Sequence, residues 1–246
     1  AGRTRVYTSG GHYRLGDDDP ARLADDTKAA LDGWYAWFKL KVGGAPEATD
    51  HARLDAAIAA AGRSDLIAVD ANCAYDDAAS QGPLDALDAL GLRWIEEPVN
   101  PLNFAGLAAA RGALKTPIAT GENIFSAADT DNLLRYGGLA PGKDVLQMDF
   151  VLSYGITEFM RMVGIAESKG WSRSDFFPHA GHQVAFHASA GLGLGGHETG
   201  SAPGPYGGVS DDTTIEDGIA ILSDAPGTGI EAKPALYRMF DGLLDQ

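Results

Sequence analysis

Three acidic residues recur at an equal spacing in this chain of 246 residues, and together they could bind a metal ion. Asp70, Glu96 and Glu122 lie 26 positions apart, and each follows a short apolar run. One strand, one helix and two loops fill such a repeat, so the spacing predicts three carboxylates at the same end of neighbouring parallel strands. Because hard divalent cations prefer oxygen ligands, the pattern predicts a Mg²⁺ site at which Mn²⁺ could also bind.

Two lysines precede this series by one further repeat. Lys39 and Lys41 stand two positions apart in the run Phe38–Val42, so a strand would point both ammonium groups to the same face. Two ammonium groups inside a barrel are costly unless a site uses them, and an edge strand with a solvated lysine face is the alternative. Lys41 lies 29 residues before Asp70, and this place in the series favours the barrel mouth.

Two more residues continue the series toward the C-terminus. Asp149 follows Glu122 by 27 residues, and His179 follows Asp149 by 30 residues. A carboxylate beside a histidine fixes the tautomer of the imidazole and raises its basicity, which suits acid–base chemistry. A purely structural histidine is the alternative for His179 by itself, and His182 in the following loop is less informative.

The segments between these residues alternate between strand and helix patterns. Short apolar runs are separated by helical stretches of about 10 to 15 residues, which favours βα units and a parallel sheet. Seven or eight such units in about 200 residues favour closure into a TIM-like (β/α)7β barrel. A doubly wound sheet is the alternative, but no Gly-rich dinucleotide turn follows the first strand. We therefore predict an α/β fold with a catalytic barrel over residues 1–200.

The chain changes character after Gly200. Residues 201–210 are rich in Gly and Pro, and Ile215–Leu222 alternates like an exposed or edge strand. We expect residues 201–246 to wrap the outside of the barrel or to pack on another domain. The glycines between positions 191 and 196 predict a flexible exit from a helix into the last barrel strand.

The composition argues against several classes of partner. The formal net charge of -15 disfavours binding to the phosphate backbone of nucleic acids. No apolar run reaches the roughly 20 residues of a membrane span, and the single cysteine, Cys73, cannot form an internal disulfide. We expect a cytoplasmic protein without nucleic-acid or membrane partners, whose small anionic substrate is held by local positive charge.

The order of the chemical residues resembles the mandelate racemase branch of the enolase superfamily. The resemblance covers most of the chain and rests on five segments: Phe38–Gly44, Val69–Asn72, Trp94–Pro98, Ala119–Asn123 and Leu146–Asp149. Three further segments resemble the D-tartrate dehydratase group: Phe177–Gln183, Gly191–Gly196 and Pro205–Gly208. The chain departs from that group at Ala180, where the group has Gly, and at His197-Glu198, where it tends to have Asn-Glu. We expect the second departure to lie near the substrate.

The resemblance implies an enzyme that removes the proton α to a carboxylate. It assigns the Mg²⁺ to Asp70, Glu96 and Glu122. It assigns the role of base to Lys41, with Lys39 as its charged neighbour. Racemisation or epimerisation of a 2-hydroxy acid at the same site is the alternative within enzymes. A non-catalytic, metal-stabilised scaffold that binds carboxylates is the alternative outside them.

The resemblance also implies how the reaction ends. His179, oriented by Asp149, would protonate a leaving β-hydroxyl, and loss of water would give a 2-oxo acid. We therefore expect a hydro-lyase that dehydrates an acid sugar or a tartrate-like hydroxy-diacid. Four residues are expected to contact the substrate: Asn72, Asn123, His182 and Glu198.

The resemblance finally implies partners outside this chain. Enzymes of this branch have an N-terminal capping domain whose loops close over the barrel mouth and select the substrate. This chain starts almost at its first barrel strand, so we expect the capping domain to come from a missing N-terminal region or from a separate chain. Assembly into a homo-oligomer is also implied.

Overall fold

The structure is a computed structural model that describes residues 2–14, 20–76, 80–200, 212–225, 227–229 and 231–244. Its strands are β1 (Arg3–Gly10), β2 (Phe38–Lys41), β3 (Ile67–Asp70), β4 (Ile95–Glu96), β5 (Ile118–Thr120), β6 (Val145–Leu146), β7 (His197–Gly200), β8 (Thr214–Glu216) and β9 (Ile219–Ile221). Its helices are α1 (Pro20–Asp32), α2 (Glu47–Ala61), α3 (Gln81–Asp88), α4 (Phe104–Ala113), α5 (Ala127–Tyr136), α6 (Ile156–Ser168), α7 (Gln183–Leu192) and α8 (Pro234–Leu244).

The first seven strands form a ring of parallel strands. Pairing runs in chain order from β1 to β6, and β7 returns to pair with β1, where His197 lies opposite Val6. Helices α1 to α6 each follow one of the strands β1 to β6, and α7 lies between residues 176–178 and β7. This arrangement is the (β/α)7β barrel that the alternating pattern predicts.

The ring closes between β6 and β7 through residues 176–178. The N–H of Phe177 donates to the carbonyl oxygen of Leu146 at 2.8 Å. The N–H of Glu198 donates to the carbonyl oxygen of Pro178 at 3.5 Å. The apolar pair at 176–177 predicts a strand, but the structure has only a single parallel bridge between Phe176 and Leu146. This barrel segment is short because Pro178 follows Phe177 and cannot donate a hydrogen bond to a neighbouring strand.

Two apolar layers lie on the two sides of the barrel strands. The outer layer packs strand residues such as Leu40 and Val69 against helix residues such as Leu54 and Phe159. The inner layer contains four aromatic side chains: Tyr7, Trp37, Trp94 and Phe177. The rings of Tyr7 and Trp37 stack with centroids 4.9 Å apart, and Trp94 meets both rings edge-on. Edge-on and offset-stacked pairs stabilise such a cluster beyond its buried area.

The aromatic cluster of Tyr7, Trp37, Trp94 and Phe177 lies directly below the barrel mouth. Trp37 precedes Lys39 by two positions, so both side chains point into the barrel. Trp94 precedes Glu96 by the same interval, and its indole N–H donates to the Glu96 carboxylate at 3.1 Å. The charged residues of the mouth therefore rest on an apolar floor, and the floor fixes the orientation of one of them.

Local capping defines the ends of several helices. Asn103 accepts the N–H of Gly106 at the start of α4, and Ser126 accepts the N–H of Asp129 at the start of α5. Gly193, with a φ of 67°, ends α7 in the left-handed conformation that glycine adopts without strain. Among the described residues, no helix has both the length and the apolar character needed to cross a bilayer.

The C-terminal region contains a hairpin where the alternation over Ile215–Leu222 predicts one strand. Strands β8 and β9 pair antiparallel around Asp217 and Gly218, whose φ values are 50° and 73°. Asp-Gly suits a two-residue turn with two positive φ angles, and this signal is visible in the sequence. Strand β9 also pairs antiparallel with β1 over Arg3–Arg5.

The rest of the C-terminal region includes residues that the structure does not describe and helix α8. Pro205–Gly208 and the other residues of 201–211 lie outside the described residues. Helix α8 is exposed along most of its length, and its exposed apolar side chains are Tyr237, Met239, Phe240 and Leu243. The division of the chain into residues 1–200 and 201–246 stays a prediction.

A close approach at Gly195 leads to a stability prediction. A methyl group on Gly195 would lie 2.0 Å from the carbonyl oxygen of Ser174 and 2.6 Å from the ring of Phe177. Gly195 is therefore packed against rigid backbone rather than part of a flexible exit. We expect Gly195→Ala to lower the free energy of unfolding by about 1–3 kcal/mol, because the backbone must shift.

The matched control is Gly191, which lies within α7 and would place its methyl group in open space. Gly191→Ala should leave the free energy of unfolding unchanged or raise it by up to about 1 kcal/mol. Urea denaturation of both variants and the wild type measures the difference. Equal stability of the Gly195→Ala variant and the wild type would contradict the packing described for this loop.

Candidate metal centre and active site

Three carboxylates converge at the carboxyl ends of β3, β4 and β5. One oxygen atom each from Asp70, Glu96 and Glu122 lies within 4.8 Å of the other two. Asp70 and Glu96 are paired in register on neighbouring strands, and both are almost fully buried. Glu122 follows Gly121, whose φ of 125° turns the chain beyond β5. The equal spacing in the sequence thus becomes one cluster of oxygen ligands.

Burial and neighbouring charges determine the ionisation of these three groups. Burial raises the pKa of Glu96, and the charge of Asp70 raises it further, against the attraction of Lys39. Burial also raises the pKa of Glu122, against the attraction of a nearby imidazole. Burial opposes the ionisation of Asp70, but Lys39 and Lys41 outweigh it and lower the pKa of Asp70 to about 2. A bound dication would favour the ionised form of all three carboxyls.

Lys39 is a buried cation in the middle of this cluster. Its Nζ atom is hydrogen-bonded to Glu96, lies 3.2 Å from Oε2 of Glu198, and lies 3.6 Å from Oδ2 of Asp70. Burial by itself would lower the pKa of Lys39, but Glu198 and Glu96 raise it well above its usual value. Lys39 is therefore suited to supply a fixed positive charge rather than to accept a proton.

Lys41 reaches the same cluster from a more open position. Its Nζ atom lies 2.5 Å from Oδ2 of Asp70, and its side chain is 21% exposed. Lys39 and Lys41 point to the same side of β2, as their spacing predicts. The second lysine is one layer nearer the barrel mouth, where a substrate could reach its amine.

A histidine and an aspartate lie on another side of the cluster. Nδ1 of His179 is 3.5 Å from Oδ2 of Asp149, and Nε2 is 3.5 Å from Oε2 of Glu122. Burial lowers the pKa of His179, but the carboxylates of Asp149 and Glu122 raise it above its usual value. The N–H of Val151 donates to Asp149 at 2.7 Å and helps to hold that carboxylate in its charged form. The imidazole is therefore favoured as a proton donor.

The structure places two of the four expected substrate contacts at the rim. Asn72 is exposed beyond β3, and its backbone N–H donates to Asp70 at 2.9 Å. Nδ2 of Asn123 donates to both carboxylate oxygens of Glu97, at 3.0 and 2.9 Å. Asn123 thus has a carboxylate partner within the protein. That either amide contacts the substrate stays a prediction.

The other two expected contacts are engaged with charged groups of the site. Nε2 of His182 lies 3.2 Å from Oδ2 of Asp149, so this carboxylate is close to two imidazoles. Glu198 is 5% exposed and is held by Lys39 below the mouth. Burial would raise the pKa of Glu198, but Lys39 lowers it to about 2. Glu198 therefore belongs to the buried charge network, and its contact with the substrate stays a prediction.

The expectation that His197 lies near the substrate is wrong. The side chain is fully buried, and its ring lies 5.8 Å from the ring of Phe186 on α7. Successive residues of a strand point to opposite faces, so the inward direction of Glu198 sends His197 outward to the helices. Burial lowers the pKa of His197 to about 4. His197 therefore packs between β7 and α7 rather than at the barrel mouth.

Two polar residues that contact the site, Gln147 and Glu97, were not assigned to it from the sequence. Nε2 of Gln147 donates to Oε2 of Glu96 at 2.7 Å. Gln147 precedes Asp149 by two positions, so strand periodicity could have indicated it. Burial and the charge of Glu122 raise the pKa of Glu97 to about 7, and Glu97 also receives the Asn123 amide.

The charges of the described site favour a cation. Three basic groups, those of Lys39, Lys41 and His179, lie against five carboxyl groups: Asp70, Glu96, Glu122, Asp149 and Glu198. Oε2 of Glu122 is buried without a hydrogen bond. Buried polar atoms normally have partners, and an all-oxygen donor set suits Mg²⁺. The residues of the triad therefore fit a bound Mg²⁺.

The fold and this arrangement agree with the match to known families. The family model described as "Enolase C-terminal domain-like" matches residues 22–236. The chain therefore belongs to this family.

Curated relatives of the chain include a dehydratase, a cycloisomerase and an epimerase. The chain is 33% identical to L-talarate/galactarate dehydratase of Salmonella typhimurium over 64% of this chain and 38% of the relative. It is 28% identical to 3,6-anhydro-alpha-L-galactonate cycloisomerase of Streptomyces coelicolor over 92% of this chain and 60% of the relative. It is also 26% identical to D-Ala-D/L-Ala epimerase of Cytophaga hutchinsonii over 63% of this chain and 41% of the relative. The chain spans less than two thirds of the length of each of these relatives.

Solved structures agree with this relationship. L-talarate dehydratase from Polaromonas sp. JS666, solved with Mg and L-glucarate, superposes with a TM-score of 0.76 at 28% identity. The match covers 93% of this chain and 61% of that one. An enolase from alpha proteobacterium BAL199, solved with bound Mg, has a TM-score of 0.77 at 29% identity, over 95% of this chain and 64% of that one. Both structures carry the metal that the carboxylate cluster suits.

The carboxylate cluster leads to a prediction about metal binding. We expect Glu122→Gln to weaken Mg²⁺ binding at least about tenfold, because an anionic oxygen ligand is replaced by a neutral amide. Isothermal titration calorimetry measures the affinity. Mg²⁺ at about 100 times its dissociation constant should also stabilise the wild type by about 2.7 kcal/mol.

Glu97→Gln is the matched control, since Glu97 is a neighbouring buried carboxyl that lies outside the triad. The Glu97→Gln variant should bind Mg²⁺ as the wild type does, and Mg²⁺ should stabilise it by a similar amount. Equal loss of Mg²⁺ binding in both variants would argue against a site made by the triad.

Proposed function

We propose that this chain is the catalytic barrel of a Mg²⁺-dependent dehydratase of acid sugars or hydroxy-diacids. The observation that carries the proposal is the meeting of Lys41, the carboxylate triad and the His179–Asp149 pair in one barrel mouth. The dehydratases among the relatives support a hydro-lyase, and their sugar-acid substrates support the substrate class. Because the chain spans only part of these relatives, the activity is proposed for the whole protein.

Substrate binding relies on the positive charges of the mouth. Asp70, Glu96 and Glu122 would hold Mg²⁺, which supplies positive charge where the substrate carboxylate becomes an enediolate during proton removal. Lys39 adds a fixed cation below the triad. This local charge allows a protein with a net charge of -15 to hold an anionic substrate.

Lys41 is proposed as the base that takes the α-proton. Its amine is at the mouth, and Asp70 holds its Nζ atom at 2.5 Å. A neutral amine at this position accepts the proton, while the electron pair of the C–H bond moves toward the substrate carboxylate. Lys39 is bound by carboxylates from three strands, so it is not proposed as the base.

His179 is proposed as the acid that completes the elimination. Lys41 approaches the cluster at Asp70, whereas His179 approaches it at Glu122. The two groups therefore flank the triad from different sides. The protonated imidazole donates its proton to the leaving β-hydroxyl, which departs as water, and the resulting enol becomes a 2-oxo acid. Asp149 holds the imidazole and favours its charged form.

Epimerisation is the second candidate function. Lys41 and His179 flank the site from different sides, so each could exchange the α-proton on one face of the substrate. The relationship to a D-Ala-D/L-Ala epimerase supports this alternative. A tartrate-like substrate is part of the proposed dehydratase function rather than of epimerisation, and it rests on the resemblance of Phe177–Gln183.

We further propose that a capping domain completes the site. The chain covers between 38% and 64% of the relatives and structures described above, and we propose that further sequence or a separate chain supplies that domain. A homo-oligomer is part of the same proposal.

Activity measurements test the assignment of base and acid. We expect the Mg²⁺-loaded wild type to form a 2-oxo acid from at least one member of a library of tartrates, aldonates and aldarates. Lys41→Ala and His179→Asn should each lower kcat by at least about 10²-fold, because each removes a proton-transfer group.

The controls are an exposed lysine and a helical histidine away from the mouth. Lys143→Ala and His51→Asn should leave kcat unchanged, since both residues lie outside the site. Full turnover after both active-site substitutions would refute the assignment. Mg²⁺-dependent stabilisation without turnover across the library would favour the non-catalytic scaffold.

Deuterium exchange separates dehydration from epimerisation. In D₂O, a dehydratase should convert substrate to 2-oxo acid with loss of water. An epimerase should incorporate deuterium at the α-carbon and form the opposite stereoisomer without losing water. Proton NMR and mass spectrometry follow both outcomes in one experiment.

A further inference from the structure

A buried arginine outside the barrel holds the backbone of the proposed base. Arg53 lies on α2 and is 1% exposed. Its Nη1 atom donates to the carbonyl oxygen of Lys41 at 3.3 Å, and its Nη2 atom donates to the carbonyl oxygen of Gly11. One planar guanidinium therefore joins the exit of β2 to the exit of β1.

Two further side chains hold this guanidinium in place. Oδ1 of Asp50 accepts from Arg53 at 3.2 Å and from the hydroxyl of Tyr13 at 2.6 Å. The guanidinium also lies over the ring of Tyr13, 4.1 Å from its centroid. The Arg53 cluster, consisting of Tyr13, Asp50 and Arg53, thus combines an ion pair, hydrogen bonds and a cation–π contact.

The same cluster holds the loop that follows Lys41. Oδ2 of Asp50 accepts the backbone N–H of Gly43 at 2.7 Å, and the hydroxyl of Tyr13 accepts that of Gly44 at 3.0 Å. A methyl group on Gly44 would lie 2.4 Å from the Tyr13 ring, so the ring packs directly on this backbone. The loop is therefore fastened by two consecutive N–H groups.

Lys41 is consequently anchored at both ends of its residue. Asp70 holds the ammonium group at 2.5 Å, and Arg53 holds the carbonyl group. The lysine side chain has four rotatable carbon–carbon bonds, so its reach toward a substrate depends on where its backbone is held. A lysine in place of Arg53 could not bind two carbonyl oxygens and a carboxylate with one planar fork.

We propose that Arg53, together with Asp50 and Tyr13, is a positioning residue that sets the distance of the Lys41 amine from the substrate α-carbon. This inference rests on the proposed function of Lys41 as the base. It assigns a role in the reaction to residues of an outer helix and of the β1 loop, whose hydrogen bonds described above reach the backbone around Lys41 rather than the carboxylate triad. Loss of the cluster should slow proton removal more than it weakens substrate binding.

The chain offers a matched control at the other end of the barrel. Arg111 on α4 is 8% exposed, and its Nη1 atom donates to the carbonyl oxygen of Thr116 at 2.8 Å and to Asp144 at 2.9 Å. Its Nη2 atom donates to the carbonyl oxygen of Leu114. Arg111 therefore makes the same kinds of bonds as Arg53, but it holds the segment before β5 rather than the ends of the strands.

The kinetic test compares Arg53→Lys with Arg111→Lys in the Mg²⁺-loaded protein, using the best substrate of the library. We expect Arg53→Lys to lower kcat about 10²-fold with little change in KM, because a displacement of about 1 Å at a reacting group has an effect of that size. Arg111→Lys should lower the melting temperature by a similar amount but leave kcat unchanged. Equal kcat values for the two variants would overturn the positioning role.

A milder variant, Tyr13→Phe, separates a loss of positioning from a general loss of folding. Tyr13→Phe removes the hydroxyl that binds Asp50 and Gly44 but keeps the ring under the guanidinium. It should produce a smaller fall in kcat in the same direction, with KM again little changed. A fall in melting temperature without any change in kcat would show that the Arg53 cluster is structural only.

A structural readout is independent of the proposed reaction. Crystal structures of the Arg53→Lys and Arg111→Lys variants should show the Lys41 amine displaced from Asp70 only in the first. An unmoved amine would overturn the inference, whatever the activity. Absence of any dehydratase or epimerase activity in the wild type would instead refute the proposed function, while the crystal structures would still decide whether Arg53 positions Lys41.

Discussion

The crowding of negative charge inside a closed barrel is the constraint on which the rest of the structure depends. Three carboxylates lie within 4.8 Å of one another, and two of them are almost fully buried. Like charges at this distance in a desolvated site raise their own pKa values unless positive charge is close. Lys39 lies against carboxylates from three different strands, and it therefore stabilises the barrel mouth as well as the site. A bound dication would complete this balance of charge.

The barrel supports that charged layer from two directions. Below it, the aromatic cluster of Tyr7, Trp37, Trp94 and Phe177 forms an apolar floor, and the indole N–H of Trp94 orients Glu96. Outside it, helices cover the strands with an apolar layer and carry the Arg53 cluster. Desolvation from below strengthens each electrostatic contact at the mouth, and it also makes any unpaired charge there more costly.

Backbone strain is concentrated near the same layer. Non-glycine residues with positive φ include Asn72 at 42°, Cys73 at 66°, Glu97 at 40° and Ala180 at 77°. All four lie just beyond the carboxyl ends of barrel strands or of the barrel segment at residues 176–178. The N–H of Ala180 donates to Oε2 of Glu198 at 3.3 Å. Strained backbone persists at functional sites because the surrounding contacts determine it, and here hydrogen bonds to the carboxylates of the mouth, such as that from the N–H of Asn72 to Asp70 at 2.9 Å, supply some of those contacts.

The sequence by itself determined the barrel and the core of the site. Periodicity was sufficient because a βα repeat brings residues such as Asp70 and Glu96, one repeat apart, to the same end of a parallel barrel. It did not determine contacts that depend on the relative placement of distant segments. The pairing of the β8–β9 hairpin with β1 and the approach of a second imidazole to Asp149 were decided by packing. The Arg53 cluster required the tertiary structure for the same reason: a helix, a loop and a strand exit meet there, and no spacing in the chain records that meeting.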